Sequence, residues 1–341
     1  MHDIKKIILD IEKIGYKVKN FSNLTMGINS STFKIEGYEK KYLLKIYNSS
    51  KVNPINRLEH ENRFLTFLKA CKFKNVPQII FSNSKDNWLL MSWIEGEKVD
   101  EVNYDLCKEY LRFLVGIQKF RGVPGAKFIS PASDAYFHFK GHIKSINHRI
   151  YLLEEKQQEL LKFNKDPFQI LKNFLDKVKS EINYLMLFQK DKNIDMDYIL
   201  PEGNRIMSQS DVGFHNMLVG KNHVYFFDFE YAGWDDPSKL FSDLLMQPDY
   251  NIPLKYIDIF DRYLEDFIFK ETFQSDRLMF MLKLIRIKWS LIILNPILNS
   301  TKLSTNDFSD LLKMKINKAL IYLENSLSII KFLEKKLNFK T

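Results

Sequence analysis

The chain has 341 residues, enough for two lobes that each bury a core. Its 45% hydrophobic and 27% charged residues exclude a disordered or membrane-embedded protein and indicate a soluble globular one. The formal charge of +9 comes from dispersed lysines and arginines without a basic stripe or RNA-binding motif, so nucleic acid is not an expected partner. The cysteines, Cys71 and Cys107, lie in amphipathic helical patterns without metal-ligand spacing and read as reduced thiols. Met1-His-Asp-Ile-Lys-Lys turns charged too early for a signal peptide. The most apolar stretch, Leu282 to Leu298, carries Lys283, Arg286 and Lys288 and is too short to span a membrane. The expected location is the cytoplasm.

Residues 3–14 follow a helical period. Tyr16 to Leu24, Thr32 to Ile35 and Tyr42 to Tyr47 read as β-strands separated by polar turns. The turn Thr25-Met-Gly-Ile-Asn-Ser-Ser31 holds Gly27, Asn29, Ser30 and Ser31, which can bring backbone N–H groups close to phosphate oxygens. Gly-Asn-Ser also makes ordinary hairpin turns. Lys45 lies inside the apolar strand Tyr42-Leu-Leu-Lys-Ile-Tyr47. Such a lysine must be paired or face water. Asn56 to Ala70 forms a helix in which Glu59 and Glu61 are both candidate partners. Val76-Pro77 breaks the chain. Gln78 to Phe81 and Trp88 to Trp93 bring the strands to five, and the last runs into a hinge at Gly96. Composition then turns helical, which sets a lobe boundary near Lys98.

Asp105 to Phe120 is an amphipathic helix, and Val123 to Asp134 a Pro/Gly/Ser-rich connection. Ala135 to Leu161 and Pro167 to Leu187 form a helical pair. His138 and His142 are spaced to share a metal on one helix turn, but no acidic or Cys partner stands beside them, so a packed helix start is expected. Beyond residue 250, Leu254 to Phe269, Asp276 to Leu294 and Asn306 to Leu337 each read as one helix, with Asn295-Pro296 ending the second.

The most informative stretch is Ser208-Gln-Ser-Asp-Val-Gly-Phe-His-Asn-Met-Leu-Val219, followed by His223-Val-Tyr-Phe-Phe-Asp-Phe-Glu230. Asp211 precedes Asn216 by five positions, and Asp228 ends a second apolar run. This predicts a loop feeding a β-hairpin with a carboxylate at its far end. Phosphoryl transfer needs that set: one carboxylate to take the acceptor proton, an amide oxygen and a second carboxylate to hold Mg²⁺ on the nucleotide phosphates. The spacing follows D-x-x-x-x-N and then D-F-x. A polar turn between two core strands is the alternative.

With these motifs in place, the chain resembles the aminoglycoside phosphotransferase and choline-kinase-like family of small-molecule kinases, from about Tyr16 to about Asp243. The family's H-G-D appears as Gln209-Ser210-Asp211, and its D-x-H-x-x-N as Asp211-Val-Gly-Phe-His-Asn216. Gly213 stands where the family has histidine, and His215 lies two further on. The family's D-x-E is Asp228-Phe229-Glu230, and its later G-D-P is Asp235-Asp236-Pro237. The resemblance implies an α+β, two-lobed protein-kinase-like fold. Residues 1–98 would be a nucleotide-binding lobe with a five-stranded antiparallel sheet, and residues 99–341 a mostly helical catalytic and acceptor-binding lobe. It implies Asp211 as catalytic base, Asn216 and Asp228 as Mg²⁺ ligands, and Lys45 with Glu61 as the phosphate-positioning pair. Glu61 precedes Phe64-Leu-Thr-Phe-Leu68 as the family's partner glutamate does. Gly27, Asn29, Ser30 and Ser31 would approach the phosphates, and Met91, Ser92, Trp93 and Ile94 would line the adenine site. Asp236 would support the loop from behind.

The implied activity is transfer of the ATP γ-phosphate to a hydroxyl of a small molecule. A sugar or sugar-like polyol is favoured over an aminoglycoside, choline or ethanolamine, because residues 254–341 hold fifteen Lys or Arg against ten Asp or Glu. A reading of another class, a silent nucleotide-binding pseudokinase, is opposed by the intact Lys45, Asp211, Asn216 and Asp228.

Overall fold

The period-2 pattern of the first strands folds as expected. In the computed structural model, which describes residues 4–26, 30–48, 56–162, 165–268, 274–300 and 306–338, helix α1 (Ile4–Lys13) precedes strands β1 (Val18–Met26), β2 (Ser30–Gly37) and β3 (Lys41–Tyr47). Helix α2 (Arg57–Ala70) and strands β4 (Ile79–Asn83) and β5 (Trp88–Ser92) follow. The sheet order is β1-β2-β3-β5-β4, antiparallel throughout. Successive side chains of a strand face opposite sides. Leu44, Ile46, Trp88 and Leu90 therefore pack with Ile7 and Ile11 of α1. Lys45 and Tyr47 alternate with them, and both are buried.

Strand β6 (Glu97–Lys98) and helix α3 (Tyr104–Gln118) come next, then α4 (Phe139–Leu161) and α5 (Lys165–Asp191). The catalytic-loop stretch contributes β7 (Ile206–Ser208), β8 (Met217–Val219), β9 (Val224–Phe226) and β10 (Gly233–Asp235). Strands β8 and β9 form the expected hairpin, with Met217 opposite Phe226, and β6 joins its other edge. A Cβ on Gly96 would stand 3.0 Å from that of Leu218 and 3.1 Å from the Val219 carbonyl oxygen. The hinge glycine thus admits β8 beside it.

The remaining helices are α6 (Pro237–Leu245), α7 (Asp261–Tyr263), α8 (Gln274–Ile292), α9 (Asn295–Leu298), α10 (Asn306–Asn325) and α11 (Leu327–Asn338). The chain divides into two compact units. One comprises residues 1–101, 112–133 and 207–234, the other residues 102–111, 134–206 and 235–341. In the helical unit α8 is buried on nearly every side and packs against α4, α5, α6, α10 and α11. This accounts for its apolar sequence. No helix among the described residues is long and apolar enough to cross a membrane.

Three expectations are corrected. The helix expected from Ala135 begins at Phe139, where the His138 side chain accepts from Gly141 N and caps it. The helix expected over Leu254 to Phe269 is a 3₁₀ segment (Leu254–Phe260), a turn of α-helix and a π-turn (Leu264–Ile268). Its buried residues Ile257, Phe260 and Tyr263 recur every three positions, the 3₁₀ period. The long helix over Asn306 to Leu337 is two, broken at Ser326. Arg286 takes the Leu323 carbonyl, and the Ser326 hydroxyl donates to the Tyr322 carbonyl at 2.6 Å. The first diverts an acceptor from the helix ladder, while the Tyr322 carbonyl still accepts from Ser326 N at 3.0 Å.

Candidate active site

Lys45 has only one short cation to offer and three carboxylates converge on it. Its Nζ stands 2.7 Å from Glu61 Oε2, 2.7 Å from Asp228 Oδ1 and 3.0 Å from Glu230 Oε2. Burial alone would depress its pKa, but Asp228 and Glu61 hold it well above the ordinary lysine value. Glu61 is 1% exposed on α2. Its Oε2 also accepts from the Tyr47 hydroxyl at 2.6 Å, and its Oε1 from Phe229 N at 3.1 Å. Glu59, the other candidate, is exposed and pairs with Arg63.

Asp228 leaves β9 with a φ of 65°, in the left-handed region. Phe229 anchors the turn. Its ring is fully buried and stacks on Phe64 of α2 at 5.6 Å, with Phe113 of α3 at 6.2 Å. Asp228 and Glu230, on either side of that ring, are thereby set beside Lys45. Burial pushes the Glu230 carboxyl up to about 6 against the pull of Lys45. Glu61, Asp228 and Glu230 each offer an oxygen, and these oxygens lie within 4.8 Å of one another. An all-oxygen donor set suits a hard cation such as Mg²⁺.

The loop before the hairpin is tied to it through the backbone. Asn216 Nδ2 donates to the Asp211 carbonyl at 2.9 Å, and Phe227 N donates to the Asn216 carbonyl at 3.1 Å. The Asp211 carboxylate is part-exposed, with His215 Nε2 at 3.4 Å from Oδ1. The histidine displaced along the sequence from the family position thus still lies beside this carboxylate. Gln209, in place of the family histidine, is buried and donates to the carbonyls of Phe227 and Asp228.

Ser31 pairs with Ile46 and Thr32 with Lys45 across the β2–β3 ladder, and Ser30 lies at the start of β2. Gly27 and Asn29 lie outside the described residues. Met91 is buried in β5, and the Ser92 hydroxyl oxygen accepts from Gln78 N at 2.9 Å. Trp93 carries the Lys34 ammonium over its ring at 5.6 Å, and Ile94 follows, part-buried. In the helical unit Asp236 caps α6 and pairs with Arg277, while Lys239 stands 2.8 Å from Asp235 and 3.1 Å from Asp243. His138 and His142 do not form a ligand pair: His138 is a cap, and His142 is buried against Tyr136.

Tyr47 belongs to none of the sequence motifs, and Glu230 is marked only by D-x-E. For Tyr47 the signal was its spacing, two residues from Lys45, which returns a strand side chain to the same face, whereas Glu230 lies in a turn beyond β9, where that rule does not apply.

A five-stranded antiparallel sheet with one buried Lys–Glu pair, a loop–hairpin carrying Asp, Asn and Asp, and a mostly helical remainder define a protein-kinase-like fold. Residues 21–246 match the model of the phosphotransferase enzyme family, APH. The chain belongs to this family and is a small-molecule phosphotransferase. Comparison with curated proteins returns no match. Among solved structures the chain is similar to spectinomycin phosphotransferase APH(9)-Ia in complex with ADP and spectinomycin. That likeness has 11% identity, a TM-score of 0.59, and coverage of 93% of this chain and 98% of that one. It is also similar to the ethanolamine kinase of Plasmodium vivax, with 17% identity, a TM-score of 0.59, and coverage of 93% and 86%. A third likeness is to choline kinase LicA from Streptococcus pneumoniae, with 14% identity, a TM-score of 0.56, and coverage of 95% and 100%. At these identities the likeness is one of fold.

Proposed function

We propose that the protein transfers the γ-phosphate of ATP, with Mg²⁺, to a hydroxyl of a small polyol such as a sugar. The observation that carries this is the convergence on Lys45 of Glu61 and Asp228, each at 2.7 Å. A buried ion pair broken on one side is costly, so the three groups hold one another in place. Lys45, fixed by Glu61, would grip the nucleotide phosphates, with the backbone from Gly27 and Asn29 to Ser30 and Ser31 nearby. Met91 to Ile94 would line the adenine site. Asp228 and Asn216 would hold Mg²⁺, which when bound neutralises charge on the phosphates. Asp211 would orient the acceptor hydroxyl and take its proton. Residues 1–98 would then serve as the nucleotide-binding lobe and residues 99–341 as the catalytic and acceptor-binding lobe. The free thiols Cys71 and Cys107 suit the cytoplasm.

A polyol acceptor is favoured by how the helical unit uses its acids. Asp235 and Asp243 share Lys239, Asp236 pairs with Arg277, and Asp134 lies 3.0 Å from Lys288 and 3.9 Å from Arg149. Lys288 holds the Asp134 carboxyl well below the usual range. Each of these four carboxylates already has its cation and is thereby a poor site for a polyamine or a quaternary amine. Competition among neutral sugars, sugar acids, choline, ethanolamine and aminoglycosides tests this. Turnover of a sugar is expected, and phosphorylation of choline or an aminoglycoside with no sugar turned over would refute it.

A further inference from the structure

We propose that Gln209 is the positioning residue that fixes the Asp228 backbone, and through it the affinity of the site for Mg²⁺. This rests on the reading of Asp228 as a metal-holding carboxylate.

Gln209 is fully buried. Its Nε2 donates to the Phe227 carbonyl and, at 3.2 Å, to the Asp228 carbonyl. In an extended strand successive carbonyls point to opposite sides. Here the left-handed φ of 65° at Asp228 lets one donor group reach two in succession. Both acceptors are carbonyls, which fixes the amide nitrogen at that end of the side chain. An amide nitrogen carries two hydrogens, whereas an imidazole N–H carries one. Glutamine therefore satisfies two carbonyls that a histidine at this position would have to choose between.

The brace is itself held on its other side. Ser210 adopts a φ of 68°, its N–H donates to Ser208 Oγ at 2.8 Å, and its hydroxyl donates to the Ser133 carbonyl at 3.0 Å. Meanwhile Gln209 Oε1 meets no donor among the described residues. A buried acceptor left without a donor is unfavourable. A side chain kept in spite of that is serving the turn it donates to, not the stability of its own surroundings. Without the brace, Asp228 is free to relax to an ordinary φ, and its carboxylate leaves the position 2.7 Å from Lys45.

The test is Mg²⁺-dependent binding of N-methylanthraniloyl-ATP to the full chain, followed by fluorescence, in wild type, Gln209→Leu, Gln209→His and Asp228→Asn. Loss of a side chain that orients a metal ligand costs about 10- to 100-fold in metal affinity. Gln209→Leu is expected to raise the Mg²⁺ concentration at half-saturation at least about tenfold. Gln209→His, which keeps one donor, is expected to fall between it and wild type. Binding of the analogue without Mg²⁺ is expected to stay near wild type, which a merely structural defect would not allow. If Gln209→Leu is unfolded by thermal melt, Gln209→His decides: an intermediate midpoint supports the brace and a wild-type midpoint overturns it. A shifted Asp228→Asn beside an unshifted Gln209→Leu overturns the brace alone. An unshifted Asp228→Asn overturns the metal reading beneath it.

Discussion

A single carboxylate, Glu61, receives the Lys45 ammonium, the Tyr47 hydroxyl and the Phe229 amide. Replacing it by alanine leaves the Tyr47 hydroxyl and the Phe229 amide without their acceptor and takes one of three carboxylates from Lys45. A cost of about 3–5 kcal/mol in stability is expected, since breaking a buried ion pair from one side is strongly destabilising. Chemical denaturation of Glu61→Ala measures it, and a loss near zero would refute the hub. In nucleotide turnover, Lys45→Ala and Glu61→Ala should each be severe, and the double variant should be little worse than either. A double-mutant cycle showing simple additivity would separate the two residues. The pair was legible because a lysine inside an apolar strand demands a partner. Choosing Glu61 over Glu59 from sequence needed the family pattern, and the contacts show why the choice matters: one carboxylate faces β3, the other faces Arg63 in solvent. What sequence could not supply was the crowding. Asp228 and Glu230 flank Phe229, whose ring packs against Phe64 of α2 and Phe113 of α3.

At the scale of elements, close backbone approach and buried charge decide the outcome. A Cβ on Gly233 would press on the Ser130 carbonyl and come 2.6 Å from Ala132 N, where the connection before α4 runs along β10. Gly233→Ala is expected to destabilise by about 1–3 kcal/mol or more, as forced overpacking does. A melting temperature equal to wild type would contradict that. At the start of α6, burial raises the Asp235 carboxyl to about 6, outweighing Lys239. The folded chain then keeps a proton that the unfolded chain releases near pH 4, so stability from this group falls as pH rises from about 4 to about 6. Asp235→Asn should flatten the decline, a difference of about 3 kcal/mol across that window. Parallel slopes for wild type and variant would overturn the assignment. Element types were largely legible from period, but their ends were not. The break at Ser326 depends on Arg286, forty residues earlier in sequence, reaching the Leu323 carbonyl. The 3₁₀ and π turns of 254–268 have an apolar pattern that also suits a helix.

For the whole molecule, fold class was legible because five short strands, a Gly hinge and a run of helices occur in that order, and the loop–hairpin motif lies among them. The acceptor was not legible in the same way. Its recognition depends on which acids of the helical unit remain uncompensated, and pairs such as Lys288 with Asp134 join residues 154 positions apart. Asp211 is proposed as the base for phosphoryl transfer in a site assembled around Lys45. The most direct measurement is transfer of labelled γ-phosphate from ATP to a pooled set of sugars and polyols, with Mg²⁺, by wild type and Asp211→Asn, alongside calorimetric nucleotide binding for both. A labelled product from wild type, a loss of about 10²–10⁴ in rate for Asp211→Asn, and unchanged binding are expected. Transfer by Asp211→Asn at the wild-type rate would contradict it.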